Sequence, residues 1–238
     1  MPKDRTVPIR FENFSVFIDE RKILDDVNLD LIDGVNVIYG PRGSGKSTLL
    51  RAVVKLNKEF FSDVEEIGKI FLFGEDLEKL DDVAVREKIL YLDTSFIDAM
   101  GFYNFEELLK LSLRKDIDLE EFSEKLDEFG LLKSLKNGKK TSLQHFSPAE
   151  RISLLLFIME EKKPRIAIMD CILDHLDDET VERLIPTITR MKTGTTFVIS
   201  TRIFQRFLPF ADLLVIVKDG KISYTGRPRD YVLRISNA

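Results

Sequence analysis

Only one cysteine, Cys171, occurs in the 238-residue chain, so no disulfide can form within it. A chain without disulfides is typical of the reducing cytosol. The longest apolar run, Leu154 to Met159, is far shorter than the ~20 residues of a membrane-spanning helix. The polar start, Met1 to Arg5, leads into no apolar segment of the kind found in signal peptides. We therefore expect a cytoplasmic protein without direct membrane insertion, for which any membrane role comes through a partner.

Histidine and net positive charge are also scarce. His145 and His175 are the only histidines, and neither belongs to a cluster with metal-ligand spacing. We predict both to be solvated loop residues rather than metal ligands or bases. A net charge of -5 and a pI near 5.3 argue against a dedicated nucleic-acid binder. The length and the 44% hydrophobic content are sufficient for one large domain, residues 1–238, with a sizeable core.

The most informative stretch that is present runs from Gly40 to Thr48 and fits the phosphate-binding pattern G-x-x-x-x-G-K-[ST]. A short apolar strand, Val35 to Tyr39, precedes it, and apolar residues at helical spacing predict a helix from Ser47 to about Phe61. Glycines let backbone N–H groups converge on an anion, and the helix start adds further donors. The alternative is a fortuitous glycine-rich turn. We predict a nucleoside triphosphate site formed by Gly40, Arg42, Gly43, Ser44, Gly45, Lys46, Ser47 and Thr48.

A second candidate site residue ends an apolar strand. The stretch Arg165 to Asp170 reads as a buried strand that finishes in a carboxylate. In P-loop proteins such a carboxylate holds Mg²⁺ together with the hydroxyl that follows the P-loop lysine. We therefore predict Ser47 and Asp170 as the magnesium residues, with a strand-end Asp that caps a loop as the alternative.

The remaining pattern predicts an α/β fold. Alternation over Ile9–Phe17, followed by Ile23–Leu31, predicts an N-terminal antiparallel β subdomain, and helical spacing from about 96 to 160 predicts an inserted α-helical subdomain. Strands that alternate with helices elsewhere indicate a P-loop core with a mostly parallel sheet. Further predicted elements are strands at Gly68–Gly74, Ile89–Leu92, Thr195–Ser200 and Leu213–Val217, helical segments at Leu119–Phe129 and Val181–Met191, and a hairpin through Asp219-Gly220 into Lys221–Tyr224.

These features together resemble the ATP-binding subunit of an ABC transporter over nearly the whole chain. The resemblance is carried by the P-loop, by the spacing from Phe146-Ser147-Pro148-Ala149-Glu150 to Asp170, and by the ending Ala211 to Ile222. It implies ATP and Mg²⁺ as cofactors, pairing as a homodimer or with a second ABC ATPase, and transmembrane permease subunits at the inner face of the membrane. Leu56-Asn57 is weakly similar to phosphate-importer ATPases. The C-terminal strand pair disfavours a small-molecule P-loop kinase.

Several positions depart from the pattern of that family. Its LSGGQ signature appears as Phe146 to Glu150, in which Ser147-x-x-Glu150 forms a capping box with Pro148 at the first helical position. The catalytic glutamate position holds Cys171, a poor general base, and the switch histidine position holds Thr201. The resemblance therefore implies impaired hydrolysis. There are three other departures. Thr94, preceded by Asp93, stands at the family's glutamine, and Asp174-His175-Leu176-Asp177 stands at its D-loop. Ile18 replaces the aromatic residue that stacks on adenine, and the neighbouring Phe17 is expected to face away.

Two functions remain open at this stage. One is a motor subunit of a transporter, and the other is a soluble, non-catalytic module that binds or docks when ATP is bound. In the family, the stretch from Thr94 to Phe105 receives a helix of the membrane domain. Apolar residues are available there for such a groove, although packing in a helical core explains them equally well: Phe96, Ile97, Met100, Phe102 and Tyr103.

Overall fold

The computed structural model describes residues 7–114 and 118–236, so the start Met1–Arg5 and part of the predicted helical subdomain lie outside the described residues. The described strands are β1 Ile9–Ile18, β2 Arg21–Leu31, β3 Val35–Tyr39, β4 Val64–Leu72, β5 Glu75–Asp76, β6 Ile89–Asp93, β7 Ile166–Asp170, β8 Thr196–Thr201, β9 Leu213–Lys218 and β10 Lys221–Gly226. The described α-helices are α1 Lys46–Val53, α2 Asn57–Phe60, α3 Asp82–Lys88, α4 Thr94–Ala99, α5 Phe105–Leu113, α6 Ser123–Glu128, α7 Pro148–Lys162, α8 Asp178–Met191 and α9 Pro228–Ser236.

The strands form two sheets. The smaller sheet has the order β2-β1-β4-β5 and is antiparallel throughout. The larger sheet has the order β10-β9-β3-β8-β7-β6; all its pairs are parallel except the hairpin of β9 and β10. The predicted fold class is therefore confirmed: a mostly parallel P-loop core with an N-terminal antiparallel subdomain and an inserted helical segment.

Strand register brings polar residues to one edge of the larger sheet. Asp93 pairs with Asp170, Asp170 pairs with Ser200, and Tyr39 pairs with Thr201 across four neighbouring strands. Parallel strands end in the same direction, and in open α/β sheets ligands bind beyond those carboxyl ends. The register therefore predicts that the site lies at this edge.

The core lies on both faces of the larger sheet. Successive side chains of a strand point to opposite faces, so Ile168 packs with α1 and the antiparallel sheet, whereas Met169 packs with the helical segment. Strands buried on both faces read as continuous apolar runs, as β7 and β8 do. Helix α1 is thereby held between the two sheets, and its start is fixed at the sheet edge.

Three predicted boundaries were wrong. The helix after the P-loop ends at Val53, not near Phe61; Lys55 takes a left-handed φ of 55° and a separate short helix, α2, follows. The apolar spacing continues across this break and conceals it. Strand β4 starts earlier than predicted, and it ends earlier because Phe73 has a positive φ. In the segment 119–129, only Ser123–Glu128 is α-helical.

Candidate nucleotide-binding site

The loop between β3 and α1 is built around glycines that accept no side chain. Gly45 has a φ of 100°, and a Cβ there would lie 2.6 Å from Cδ2 of Leu24. A Cβ at Gly40 would lie 2.3 Å from the carbonyl of Val217. Gly45 is also the N-cap of α1 and provides no side-chain acceptor, so the first N–H groups of the helix are left for another acceptor. A helix start of this kind suits an anion.

Lys46 is the buried cation of the loop. Its side chain is only 5% exposed, and its Nζ donates hydrogen bonds to the carbonyls of Gly40 (2.7 Å) and Pro41 (2.9 Å). Burial lowers the pKa of Lys46, while the charges of nearby groups, Asp170 among them, act in the opposite direction. The ammonium group is thus placed within the loop, where the phosphates of a nucleotide would lie.

Asp170, at the end of β7, is also buried, and both of its carboxylate oxygens accept hydrogen bonds. Oδ1 accepts from Oγ of Ser200 at 2.5 Å, and Oδ2 accepts from the Tyr91 hydroxyl at 3.0 Å. Burial, followed by the charge of Asp170, raises the pKa of Tyr91, so the phenol keeps its proton. Sequence reasoning missed Tyr91 and Ser200. Both lie near the ends of predicted strands, but only the strand register shows that those ends are neighbours of Asp170.

Cys171 takes a left-handed conformation with a φ of 56°. Its N–H donates to Oγ of Ser200 at 2.9 Å, and its sulfur lies 3.3 Å from the same oxygen. Burial, aided by the negative charges of Asp170 and Asp174, raises the pKa of Cys171, although the Ser200 contact opposes this. The side chain is therefore a neutral thiol at neutral pH and is not suited to abstract a proton.

Thr201 is fully buried and committed to protein partners. Its hydroxyl donates to Oδ1 of Asp174 and accepts from the N–H of Ile203 at 2.9 Å. Oδ2 of Asp174 accepts from the backbone N–H of Arg202 at 3.0 Å and from its Nε at 3.1 Å. The sequence singled out Thr201 and placed Asp174 in the D-loop, but it gave no signal for Arg202 or for the contacts of Asp174.

A cavity of about 520 Å³ joins these elements. Of the predicted site residues, Gly40 and Asp170 do not line it, and Asp170 is buried. Ile18 lines the cavity and Phe17 does not, as predicted from strand alternation. Its lining comprises Ile18, Ile23, Arg42, Gly43, Ser44, Gly45, Lys46, Ser47, Thr48, Arg51, Phe61, Thr94, Cys171, His175 and Arg202.

The remaining candidate residues divide between this cavity and the rest of the surface. Thr94 lines the cavity, but Oδ1 of Asp93 caps α4 by accepting from Phe96 N–H at 3.0 Å. His145 and His175 are both exposed, as expected of solvated residues, but each ends a short 3-10 helix rather than lying in a loop, and only His175 borders the cavity. Among the described residues, no group of three or more His, Cys, Asp or Glu side chains forms a metal cluster.

The segment at the start of α7 forms the predicted capping box. Oγ of Ser147 accepts from Glu150 N–H at 3.2 Å, and a Glu150 carboxylate oxygen accepts from Ser147 N–H at 2.7 Å, with Pro148 in the first turn. Burial would raise the pKa of Glu150, but hydrogen bonds from Ser134 and Ser147 outweigh it and lower that pKa. The segment is thus a stable helix start, and Pro148 removes one N–H from it.

Fold and site together define a P-loop nucleotide-binding domain. A sequence model of the family described as ABC transporter matches residues 24–171. The chain belongs to the ABC transporter family, among its ATP-binding proteins.

Curated relatives agree with this assignment. The chain is 26% identical over 224 residues to an uncharacterised ABC transporter ATP-binding protein of Methanocaldococcus jannaschii, covering 93% of this chain and 78% of the relative. It is 24% identical over 216 residues to the phosphate import ATP-binding protein PstB of Saccharolobus solfataricus, covering 87% and 83%.

Solved structures share the fold. An ATP-bound bacterial Atm1-family ABC exporter superimposes with a TM-score of 0.80 at 19% identity, over 95% of this chain and 40% of the exporter chain. The structure of an ATP-binding subunit of an ABC transporter gives 0.74 at 20% identity, over 96% and 93%. The chain therefore spans less than half of that exporter and nearly all of the separate subunit.

Proposed function

We propose that this chain binds Mg²⁺-ATP at the loop Gly40–Thr48, pairs with a second ATPase subunit when nucleotide is bound, and hydrolyses ATP slowly. The observation that carries this proposal is the contrast between an intact phosphate cradle around Lys46 and a neutral thiol, Cys171, at the position of the family's base. Binding and cleavage depend on different residues, and only those for binding are intact.

The residues present suit ATP and magnesium. A Cβ at Gly40 or Gly45 would clash, and the start of α1 after Gly45 has no side-chain cap, so its first N–H groups suit phosphate oxygens. Ser47 and Asp170 provide the hard oxygen ligands that Mg²⁺ prefers, and the ion would supply charge neutralisation at the phosphates. Ile18 gives the base an apolar surface without an aromatic ring, so we expect reduced affinity for adenine.

Calorimetry tests the binding half of the proposal. Mg²⁺-ATP added to the purified chain should give saturable heat that requires magnesium, and Lys46→Ala should remove it. Lys69→Ala, an exposed lysine on β4, is the matched control and should bind as the wild type does. Absence of magnesium-dependent heat, or unchanged heat with Lys46→Ala, would overturn the proposal.

A transporter role, with the chain peripheral on the cytoplasmic face of a membrane, is supported by one surface. Phe102 is 89% exposed, and Phe96 and Tyr103, from the same stretch of chain, are each 38% exposed. The other two residues of the predicted groove, Ile97 and Met100, lie in the core instead. No helix among the described residues is long and apolar enough to cross a membrane. We propose that the three exposed rings dock a permease subunit.

A soluble, nucleotide-dependent regulatory module is the second candidate. It is favoured because Cys171 and Thr201 contact Ser200 and Asp174 within the protein instead of providing a catalytic base or a switch histidine. Co-purification from the native membrane separates the two. The transporter role predicts that the chain sediments with a membrane protein and that Phe102→Asp releases it, whereas Leu111→Asp, at a 63%-exposed site on α5, does not. A chain found only in the soluble fraction, in the presence and absence of ATP, would favour the regulator.

A further inference from the structure

The residue after β8, Arg202, is held beside the start of the phosphate loop by the fold itself. Strands β3 and β8 are parallel neighbours, with Tyr39 paired to Thr201. The N–H of Gly40 also donates to the carbonyl of Thr201 at 3.3 Å. Because this bond joins the two strand ends, Arg202 begins at the rim of the cavity that the loop borders.

Asp174 fixes the direction of the Arg202 side chain. Its carboxylate is 1% exposed and accepts from both the backbone N–H and Nε of Arg202. Since only Nε is used, the two terminal Nη groups have no partner among the hydrogen bonds of the described residues. The side chain is 47% exposed and lines the cavity with Lys46 and Ser47. A buried carboxylate therefore presents a guanidinium fork to this cavity.

The charged residues around the cavity favour an anion. Lys46 and Arg202 line the same cavity, so both positive charges border one space. Arg42 adds a third positive group at the loop. Asp170 accepts hydrogen bonds from Ser200 and Tyr91, and Asp174 accepts from Thr201 and Arg202. The described residues that line the cavity include these cations and no Asp or Glu, and such a lining suits a phosphate.

We propose that Arg202 binds the terminal phosphate of the bound nucleoside triphosphate. Because ADP lacks that phosphate, the contact makes the chain prefer ATP. The guanidinium is permanently charged, and Asp174 holds it in position. The inference rests on the proposed nucleotide site and adds a specificity residue to it. It also explains two neighbouring contacts. The Thr201 hydroxyl donates to Asp174. Asp174 in turn holds Arg202, the residue after Thr201, at the cavity where the nucleotide would bind. Asp174 acts here as a positioning residue.

The test compares affinities for Mg²⁺-ATP and Mg²⁺-ADP by calorimetry. Loss of a charge-assisted contact predicts that Arg202→Ala binds ATP about 10-fold or more weakly, with ADP within about 2-fold of wild type. Arg202→Lys should recover part of the ATP affinity. Asp174→Asn, which keeps an acceptor but loses the charge, should weaken ATP selectively and to a smaller degree. Thermal unfolding of each variant shows that it is folded.

Arg206→Ala is the matched control, because Arg206 lies on the same segment but pairs with Asp178 and the Leu176 carbonyl outside the cavity. It should leave the ATP-to-ADP ratio unchanged. Equal losses for ATP and ADP in Arg202→Ala, or no loss at all, would overturn the inference while the nucleotide site stands. A wild-type chain that binds neither nucleotide would instead overturn the proposed function itself.

Discussion

The Tyr91 hydroxyl donates a hydrogen bond of 3.0 Å to Oδ2 of Asp170, the buried carboxylate at the end of β7. Together with the 2.5 Å bond from Ser200 to Oδ1, it holds the carboxylate in place before any ligand arrives. The two donors come from the strands on either side, β6 and β8. The orientation of Asp170 is therefore a property of the sheet, and each donor contributes to it.

Replacement of Tyr91 by Phe removes one of these donors. Because Oδ2 of a buried carboxylate would then lose its donor, we expect the free energy of unfolding to fall by about 1–3 kcal/mol. Tyr103→Phe, at a partly exposed ring in the helical segment, is the control and should change it by less than about 0.5 kcal/mol. Urea unfolding measures both. Equal stabilities of wild type and Tyr91→Phe would show that the bond contributes nothing.

Cys171→Glu restores a carboxylate at the position of the family's base. A positioned general base contributes typically 10²–10⁴ in rate. Since Thr201 and Pro148-Ala149 remain, we expect steady-state ATP turnover to rise, but by less than about 10²-fold. Cys171→Gln, similar in size but unable to take a proton, should give no increase.

The wild-type chain is the reference for this measurement, and it should turn over slowly because the pKa of Cys171 is raised by burial. A wild-type turnover of about 1 s⁻¹ or faster, an ordinary enzymatic rate, would contradict the proposal of impaired hydrolysis.

Gly45→Ala tests the conformational demand of the loop. At a φ of 100° a side chain is strained, and the added Cβ would lie 2.6 Å from Leu24. We expect a loss of about 2 kcal/mol or more in unfolding free energy, together with weaker ATP binding. Gly194→Ala is matched to it, since a Cβ there meets open space and the φ is not positive. That variant should stay within about 1 kcal/mol of wild type. Similar effects at both sites would refute the argument.

The capping box predicts a pH dependence of stability. Hydrogen bonds from Ser134 and Ser147 lower the pKa of Glu150 below its unfolded value of about 4.3, against the effect of burial. A carboxyl with a lowered folded pKa stabilises the fold above the unfolded pKa, and this contribution is lost as the pH falls through the folded pKa. We expect Glu150→Gln to be less stable than wild type by about 0.3–1 kcal/mol at pH 7.

Unfolding at several pH values checks this sign. The difference between Glu150→Gln and wild type should shrink below about pH 4. Gln144→Glu adds a carboxylate at an exposed position before the capping box and is the control for charge alone. Its stability difference from wild type should not show the same pH dependence. A difference that grows toward low pH would show that the pKa is raised instead.

The sequence by itself determined the phosphate loop, the fold class and the capping box. Glycines at fixed spacing before Lys46, apolar runs at β3 and β7, and the Ser147-x-x-Glu150 pattern are local signals, because each acts through the backbone within a few residues. The end of helix α1 at Val53 was not predicted. Hydrophobic spacing shows which face of a helix is buried, but it does not show where the helix ends.

Only the tertiary structure decided which side chains meet at the edge of the sheet. Tyr91 and Ser200 lie 79 and 30 residues from Asp170, and Asp174 lies 28 residues from Arg202. Strand order and register set these contacts, and both depend on how distant segments pack. The composition of the loop predicts a nucleotide site. The roles proposed for Asp174 and Arg202 rest on the neighbours that β3, β7 and β8 bring together.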